Sequence, residues 1–339
     1  MLDLGRLQRL KLSARPLGQR IIARFVLYPN FYLPRRVKIR LEGAEKIPKE
    51  PVIFAMNHTD RYNYWPFQFE LWRTMNRFTA TWVKGKYYEN EMMGRFMQWT
   101  NNLPTVSRGY IVTRDFINVL KRRPTDAEYE VLRQRVDRAV RAATGEVVAA
   151  VEDGPQSADL TKVLTLGRDM LGRPFKPEVE DYGVAVLGLF DAMMTRFLEL
   201  HTEAFAKGLD LLVFPQGTRS IRLSKGHIGI SQVALAYDRM IVPVGCSGSD
   251  KCYPGGNPLA KGGEIIYRVG EPITREELAR FRPAAAFVPF SPSAEVVHRE
   301  AFQGLVDVVM DRINGLVDAP YQYAEDRSSE GVSGSKRFV

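Results

Sequence analysis

His58 is one of four histidines in the chain, and it follows Asn57 directly behind the apolar run "PVIFAM" (51–56). A short continuous apolar run reads as a strand covered on both faces. The imidazole then stands at a carboxyl edge of the sheet, where open α/β folds bind ligands. Polar residues surround it in "NHTDRYN", and Pro66 suits the first turn of a following helix. A neutral imidazole within about 3 Å of a hydroxyl can take its proton as the oxygen attacks a carbonyl. The plainer reading of a lone histidine is structural.

Two further stretches carry groups of the kind such chemistry needs. "LLVFPQGTRS" (211–220) is a buried strand ending in Pro215 and a polar turn. Gly217 lets the backbone approach a ligand closely. Arg219 offers a planar fork suited to phosphate oxygens, and Thr218 and Ser220 add hydroxyls. In "NNLPTVSRG" (101–109), Arg108 follows a short alternation that also reads as a strand end. The competing reading of Arg108 is a solvated cation.

Elements that alternate between strand and helix must position these groups. Strand patterns cover "VKIRLEG" (37–43), "PVIFAM", "FTATWVK" (78–84), "DLLVF" (210–214), "MIVPVG" (240–245) and "EIIYRVG" (264–270). Helical patterns lie between them, including one over 87–100 and "AMMTRFLELHTEAFAKG" (192–208). Thr274 and Glu277 form a capping box. A long closing helix carries Leu305, Val309, Ile313 and Leu316 on one stripe. The expectation is an α/β fold with a mixed, largely parallel sheet flanked by helices.

The organisation expected is an N-terminal segment (1–36), an α/β domain (37–318) with a helical insertion (110–190), and a disordered tail (319–339). Within the insertion, 152–163 and 167–183 read as loops. The first segment is amphipathic. Leu7, Leu10, Ile21, Ile22, Phe25 and Val26 alternate with arginines, and Pro16 divides it into two helices. Such a segment can lie in a bilayer interface with its cations near lipid phosphates; packing on the protein's own core is the alternative. The net charge of +9 favours anionic partners. Neither a secretory signal nor a spanning run is read. Cys246 and Cys252 make neither a disulfide framework nor a zinc pattern, which suits a reducing compartment.

Taken together, "NHTDRYN", "VSRG", "FPQGTRS" and "IVPVG", in that order, resemble the glycerolipid acyltransferases, best known as lysophosphatidic acid acyltransferases. The resemblance covers roughly 37–110 and 195–275. It implies an O-acyltransferase that needs no cofactor or metal and forms no covalent acyl-enzyme. His58 would be the general base. The donor would be acyl-CoA or acyl-carrier protein, and the acceptor a hydroxyl of lysophosphatidic acid or a related glycerolipid. Arg219 with Arg108 would hold the acceptor's phosphate, and Val242-Pro243-Val244 would lie near the acyl chain. The family's motifs are N-H-x-x-x-x-D and F-P-E-G-T-R-S, so two acidic positions are amides here, Asn63 and Gln216. The Asn63 oxygen can still accept the second N–H of His58, but its NH2 in that place would select the wrong tautomer. Asp60 could replace the missing carboxylate only from an irregular turn, because i and i+2 do not face each other on a helix. Otherwise Asp60 caps the helix or is solvated. Gln216 can hydrogen-bond an acceptor hydroxyl or brace Arg219. The expected location is peripheral, on the cytoplasmic face of a membrane. The alternative is a catalytically impaired lipid-binding relative. Nucleic acid is not an expected partner, since no motif for it is present.

Overall fold

The computed structural model describes residues 2–33, 36–148 and 157–327. Its strands are β1 (Val37–Glu42), β2 (Ile53–Met56), β3 (Thr79–Lys84), β4 (Asn102–Thr105), β5 (Arg168–Met170), β6 (Arg173–Phe175), β7 (Asp210–Val213), β8 (Ile241–Ser247) and β9 (Gly263–Val269). Among the described residues, seven form one sheet in the order β1-β9-β8-β2-β7-β3-β4. Neighbours are parallel except β8 and β9. The expected α/β class, mixed and largely parallel, is the one observed.

Side chains alternate across each strand, so β2 feeds two cores. Ile53 and Ala55 pack with Leu211, Val213 and Ile241 on one face. Phe54 and Met56 pack with Leu212, Val242 and Val244 on the other. All four β2 residues are fully buried. Because β2, β7, β3 and β4 are parallel neighbours, their carboxyl ends share one edge of the sheet.

Residues 110–190 hold more regular structure than their composition suggests. Helices run Arg108–Leu120, Asp126–Ala143 and Ala158–Thr165, so part of the first expected loop is helical. The second is the hairpin β5–β6. The helix after it starts at Tyr182, ten residues before the sequence pattern does, and runs to Ala206. Buried Asp115 fixes the hairpin by taking Arg168 Nε at 2.9 Å. The closing helix is in two pieces, Pro292–Val297 and Arg299–Leu316, with Leu305, Val309 and Ile313 buried. The capping box at Thr274 and Glu277 is present.

Beyond the closing helix, Ala319–Tyr321 forms a tight turn and Tyr321 is buried. The Tyr321 carbonyl accepts Leu223 N–H at 3.0 Å, and its hydroxyl accepts Gly248 N–H at 3.0 Å and donates to Asp250 at 2.6 Å. Residues 328–339, the greater part of the expected tail, lie outside the described residues.

At the other end, Leu4–Gln8 is one short helix and Pro16 caps the next, Leu17–Ile22. Helical structure then continues to Tyr32 through a wide turn in which Tyr28 N–H reaches back five residues to Ala23. Leu7 and Leu10 pack into the core, whereas Leu17, Ile21, Phe25, Tyr28 and Leu33 are exposed. The segment therefore splits its apolar residues between protein and outside, with Arg15, Arg20 and Arg24 also exposed. Gly18 allows the close approach to Trp99, since a Cβ there would lie 2.4 Å from the Trp99 carbonyl. No helix among the described residues is long and apolar enough to cross a membrane.

Candidate active site

The turn after β2 is held by its own side chains. Asp60 accepts the Tyr62 N–H at 2.7 Å and the Thr59 hydroxyl at 2.9 Å, an Asx-type turn that delays the helix Tyr64–Met75. The irregular turn is present, yet the Asp60 carboxylate is engaged there and not with the imidazole. Burial raises its proton affinity. Asn63 occupies the helix N-cap position without capping. Its Oδ1 lies 3.2 Å from His58 Nδ1 and its Nδ2 donates to the Asn57 carbonyl at 2.7 Å. Turning the amide over would set two carbonyl oxygens against each other at that distance, so the chemistry fixes its orientation. Nδ1 of His58 then carries the hydrogen, and Nε2 keeps its lone pair.

The turn after β7 is stitched to the same histidine. Ser220 N–H donates to the His58 carbonyl at 2.9 Å. The buried Gln216 oxygen accepts the His58 N–H at 3.1 Å, and its Nε2 donates to the Arg222 carbonyl at 3.3 Å. The Phe214 ring stacks on the imidazole with centroids 4.1 Å apart. Gly217 has φ +65°, and a Cβ there would approach the His227 ring to 2.8 Å. Thr218 is buried, its hydroxyl 3.4 Å from the Arg219 carbonyl.

His58, Gly217 and Arg219 line one cavity of about 580 Å³. Its other cations are Arg61, Lys84 and Lys86, and neither Asp nor Glu is among its lining residues. Most of the remaining wall is aromatic and thioether, including Trp65, Trp82, Met92, Met93 and Phe96. Met92 is 78% exposed, so the cavity reaches the surface beside the N-terminal segment. A second recess of about 370 Å³ shares Trp82, Lys84, Lys86, Thr105, Phe214 and Gly217 with the first.

Burial pulls the proton affinity of His58 down to about 3, with Arg219 and Lys84 adding to the effect and Asn63 opposing it. Burial, then Arg219, lowers that of Lys86. The site is thus a neutral imidazole facing a cluster of positive charge, a combination suited to an anionic ligand with a reactive hydroxyl.

No family model and no curated relative matches the chain. A solved structure with a similar chain is the crystal structure of the 1-acyl-sn-glycerophosphate (LPA) acyltransferase PlsC from Thermotoga maritima. Identity is 12%, the match covers 91% of this chain and 86% of that one, and the TM-score is 0.40.

Arg108 is not among the residues lining either cavity. Its guanidinium pairs with Glu295 at 3.0 Å and lies 4.6 Å from the Phe190 ring centroid. Val242 and Val244 are packed inside the sheet and line neither cavity. The sequence reading missed Lys84, Lys86 and Phe214. Their signal was position alone: Lys84 closes the strand pattern "FTATWVK", and Phe214 closes "DLLVF".

Proposed function

We propose that this chain is an O-acyltransferase working at a membrane surface, with His58 as general base. The observation that carries the reading is an imidazole whose Nδ1 faces the Asn63 oxygen, opening into a mostly apolar cavity whose charged groups are all cationic. The acceptor is a lysophosphatidic acid or related glycerolipid, its phosphate held by Arg219 with Lys84 and Lys86. The donor is acyl-CoA or acyl-carrier protein, its acyl chain against the aromatic and methionine wall. His58 Nε2 takes the hydroxyl proton while the oxygen attacks the thioester carbonyl. The tetrahedral intermediate collapses, the C–S bond breaks, and the leaving thiolate recovers the proton from the imidazolium. Such proton transfer is worth roughly 10²–10⁴ in rate. Burial is the chief cause of the low proton affinity of His58, and an anionic acceptor offsets only the smaller part that Arg219 and Lys84 add.

Membrane association is supported by the exposed Leu17, Ile21, Phe25 and Tyr28 beside exposed arginines, next to the helix whose Met92 and Met93 line the cavity. One observation favours the alternative of a lipid-binding protein without turnover: a base of such low proton affinity is weak. Purified protein with a long-chain acyl-CoA and lysophosphatidate, followed by release of free thiol, decides between them. Turnover that vanishes in His58→Ala is expected. Lipid binding with no thiol release by the intact protein overturns the enzyme reading.

A further inference from the structure

Two buried amides stand where the family that the sequence resembles has acids, and both use their two ends in the same way. The Asn63 oxygen faces Nδ1 of His58 and its NH2 holds the Asn57 carbonyl. The Gln216 oxygen accepts the His58 backbone N–H and its NH2 holds the Arg222 carbonyl. Two carbonyl ends converge on one histidine, and two amino ends brace the turns that carry the site. A carboxylate has no N–H to give. At position 63 it would point an oxygen at the Asn57 carbonyl across a distance of 2.7 Å that only a donor can bridge.

The Asn57 carbonyl is held through its own peptide unit, because the His58 N–H donates to the Gln216 oxygen. The Asn57 side chain is locked to β8 by a pair of bonds, Nδ2 to the Cys246 carbonyl at 2.9 Å and Oδ1 from the Cys246 N–H at 2.7 Å. The Asn63 backbone is anchored separately, its carbonyl accepting the Tyr267 hydroxyl at 2.6 Å. The amino end of the Asn63 amide and its backbone are therefore fixed by groups that are not among the residues lining the cavity.

We propose that Asn63 is a positioning residue that works only as an amide: the Asn57 carbonyl holds its NH2, which aims its oxygen at Nδ1 of His58 and leaves Nε2 bare toward the cavity. Asn57 is the second member of this device. The inference deepens the acyl-transfer reading, on which only its kinetic arm rests. Introducing the acid with Asn63→Asp therefore removes a donor that the turn requires.

The test combines ¹⁵N spectra of the imidazoles with kinetics. In long-range ¹H–¹⁵N correlation spectra of the full chain, with His58→Gln as the assignment control, His58 is expected to show a protonated Nδ1 and an unprotonated Nε2 at pH 7. This arm needs no activity and no folded variant at position 63. A hydrogen on Nε2 in the intact protein overturns the proposal. In Asn63→Asp the pattern is expected to be lost, and kcat to fall at least tenfold with both KM values within about twofold. Asn63→Asp with unchanged tautomer and unchanged or higher kcat also overturns it. If the intact protein turns nothing over, the acyl-transfer reading fails while the spectrum still decides the role of Asn63.

Discussion

Replacing Arg219 by Gln keeps a polar side chain of similar reach and removes its charge. Arg219 is an exposed cation on the cavity wall, and Lys84 and Lys86 remain to share a bound phosphate. A hydrogen bond to a charged group is worth about 1.5–3 kcal/mol. Solvent screening at an exposed position and the two remaining lysines bring the expected loss to about 1–2 kcal/mol. At about 1.4 kcal/mol per tenfold, KM for lysophosphatidate rises about 5–30-fold. A smaller opposite effect works on kcat. Arg219 is one of the charges that depress His58, so its removal makes the imidazole a better base. Thiol release is measured with one acyl-CoA and two acceptors, lysophosphatidate and the uncharged monoacylglycerol. The loss should be confined to the phosphorylated acceptor and should shrink as salt is raised in the intact protein. An equal loss with both acceptors, or no change with lysophosphatidate, refutes the assignment of Arg219 to the phosphate.

Two other expectations are independent of that assay. His201 is buried, takes the Trp82 Nε1–H at 2.9 Å on Nε2, and has its proton affinity pulled down to about 4 by burial. An unfolded histidine keeps the ordinary value of 6.5, so the folded state loses stability as pH falls from 6.5 toward 4. At pH 5 the loss from this group is about 2 kcal/mol; urea unfolding at pH 7 and pH 5 should show a smaller pH difference in His201→Gln, and an identical one contradicts it. Phe25→Asp should reduce co-sedimentation with anionic vesicles severalfold while leaving the thermal midpoint within a few degrees, because Phe25 is 69% exposed; unchanged sedimentation removes this segment from the membrane contact.

What could be read from the sequence follows from how local each signal is. β2 was legible because a strand buried on both faces must be apolar throughout, and the turn after it because an Asn-His pair cannot continue such a run. β4 was legible only as a candidate strand end because Asn101, Asn102 and Pro104 disguise it, and the hairpin β5–β6 reads as a loop because each strand has three residues. The pairing of Arg108 with Glu295, 187 positions away, is a contact that no local pattern encodes. The orienting group of His58 stayed open between Asp60 and Asn63 for a similar reason. The choice depends on which way one amide faces, and that is set by the Asn57 carbonyl and, behind it, by Cys246 on another strand. The N-terminal segment was legible as amphipathic, but not that Leu7 and Leu10 turn inward while Phe25 turns outward.

The clasp made by Tyr321 has an implication for how the molecule is born. Leu223, a few residues past the guanidinium on the cavity wall, donates its N–H to the Tyr321 carbonyl, and Gly248 donates to the hydroxyl of the same tyrosine. During synthesis from the N-terminus the sheet can assemble first, while the loop beyond Ser220 waits for a segment not yet translated. On the acyl-transfer reading, a growing chain would carry its base before the turn that bears Arg219 is fully tied down, and acquire competence late, when the closing helix and the turn after it have docked.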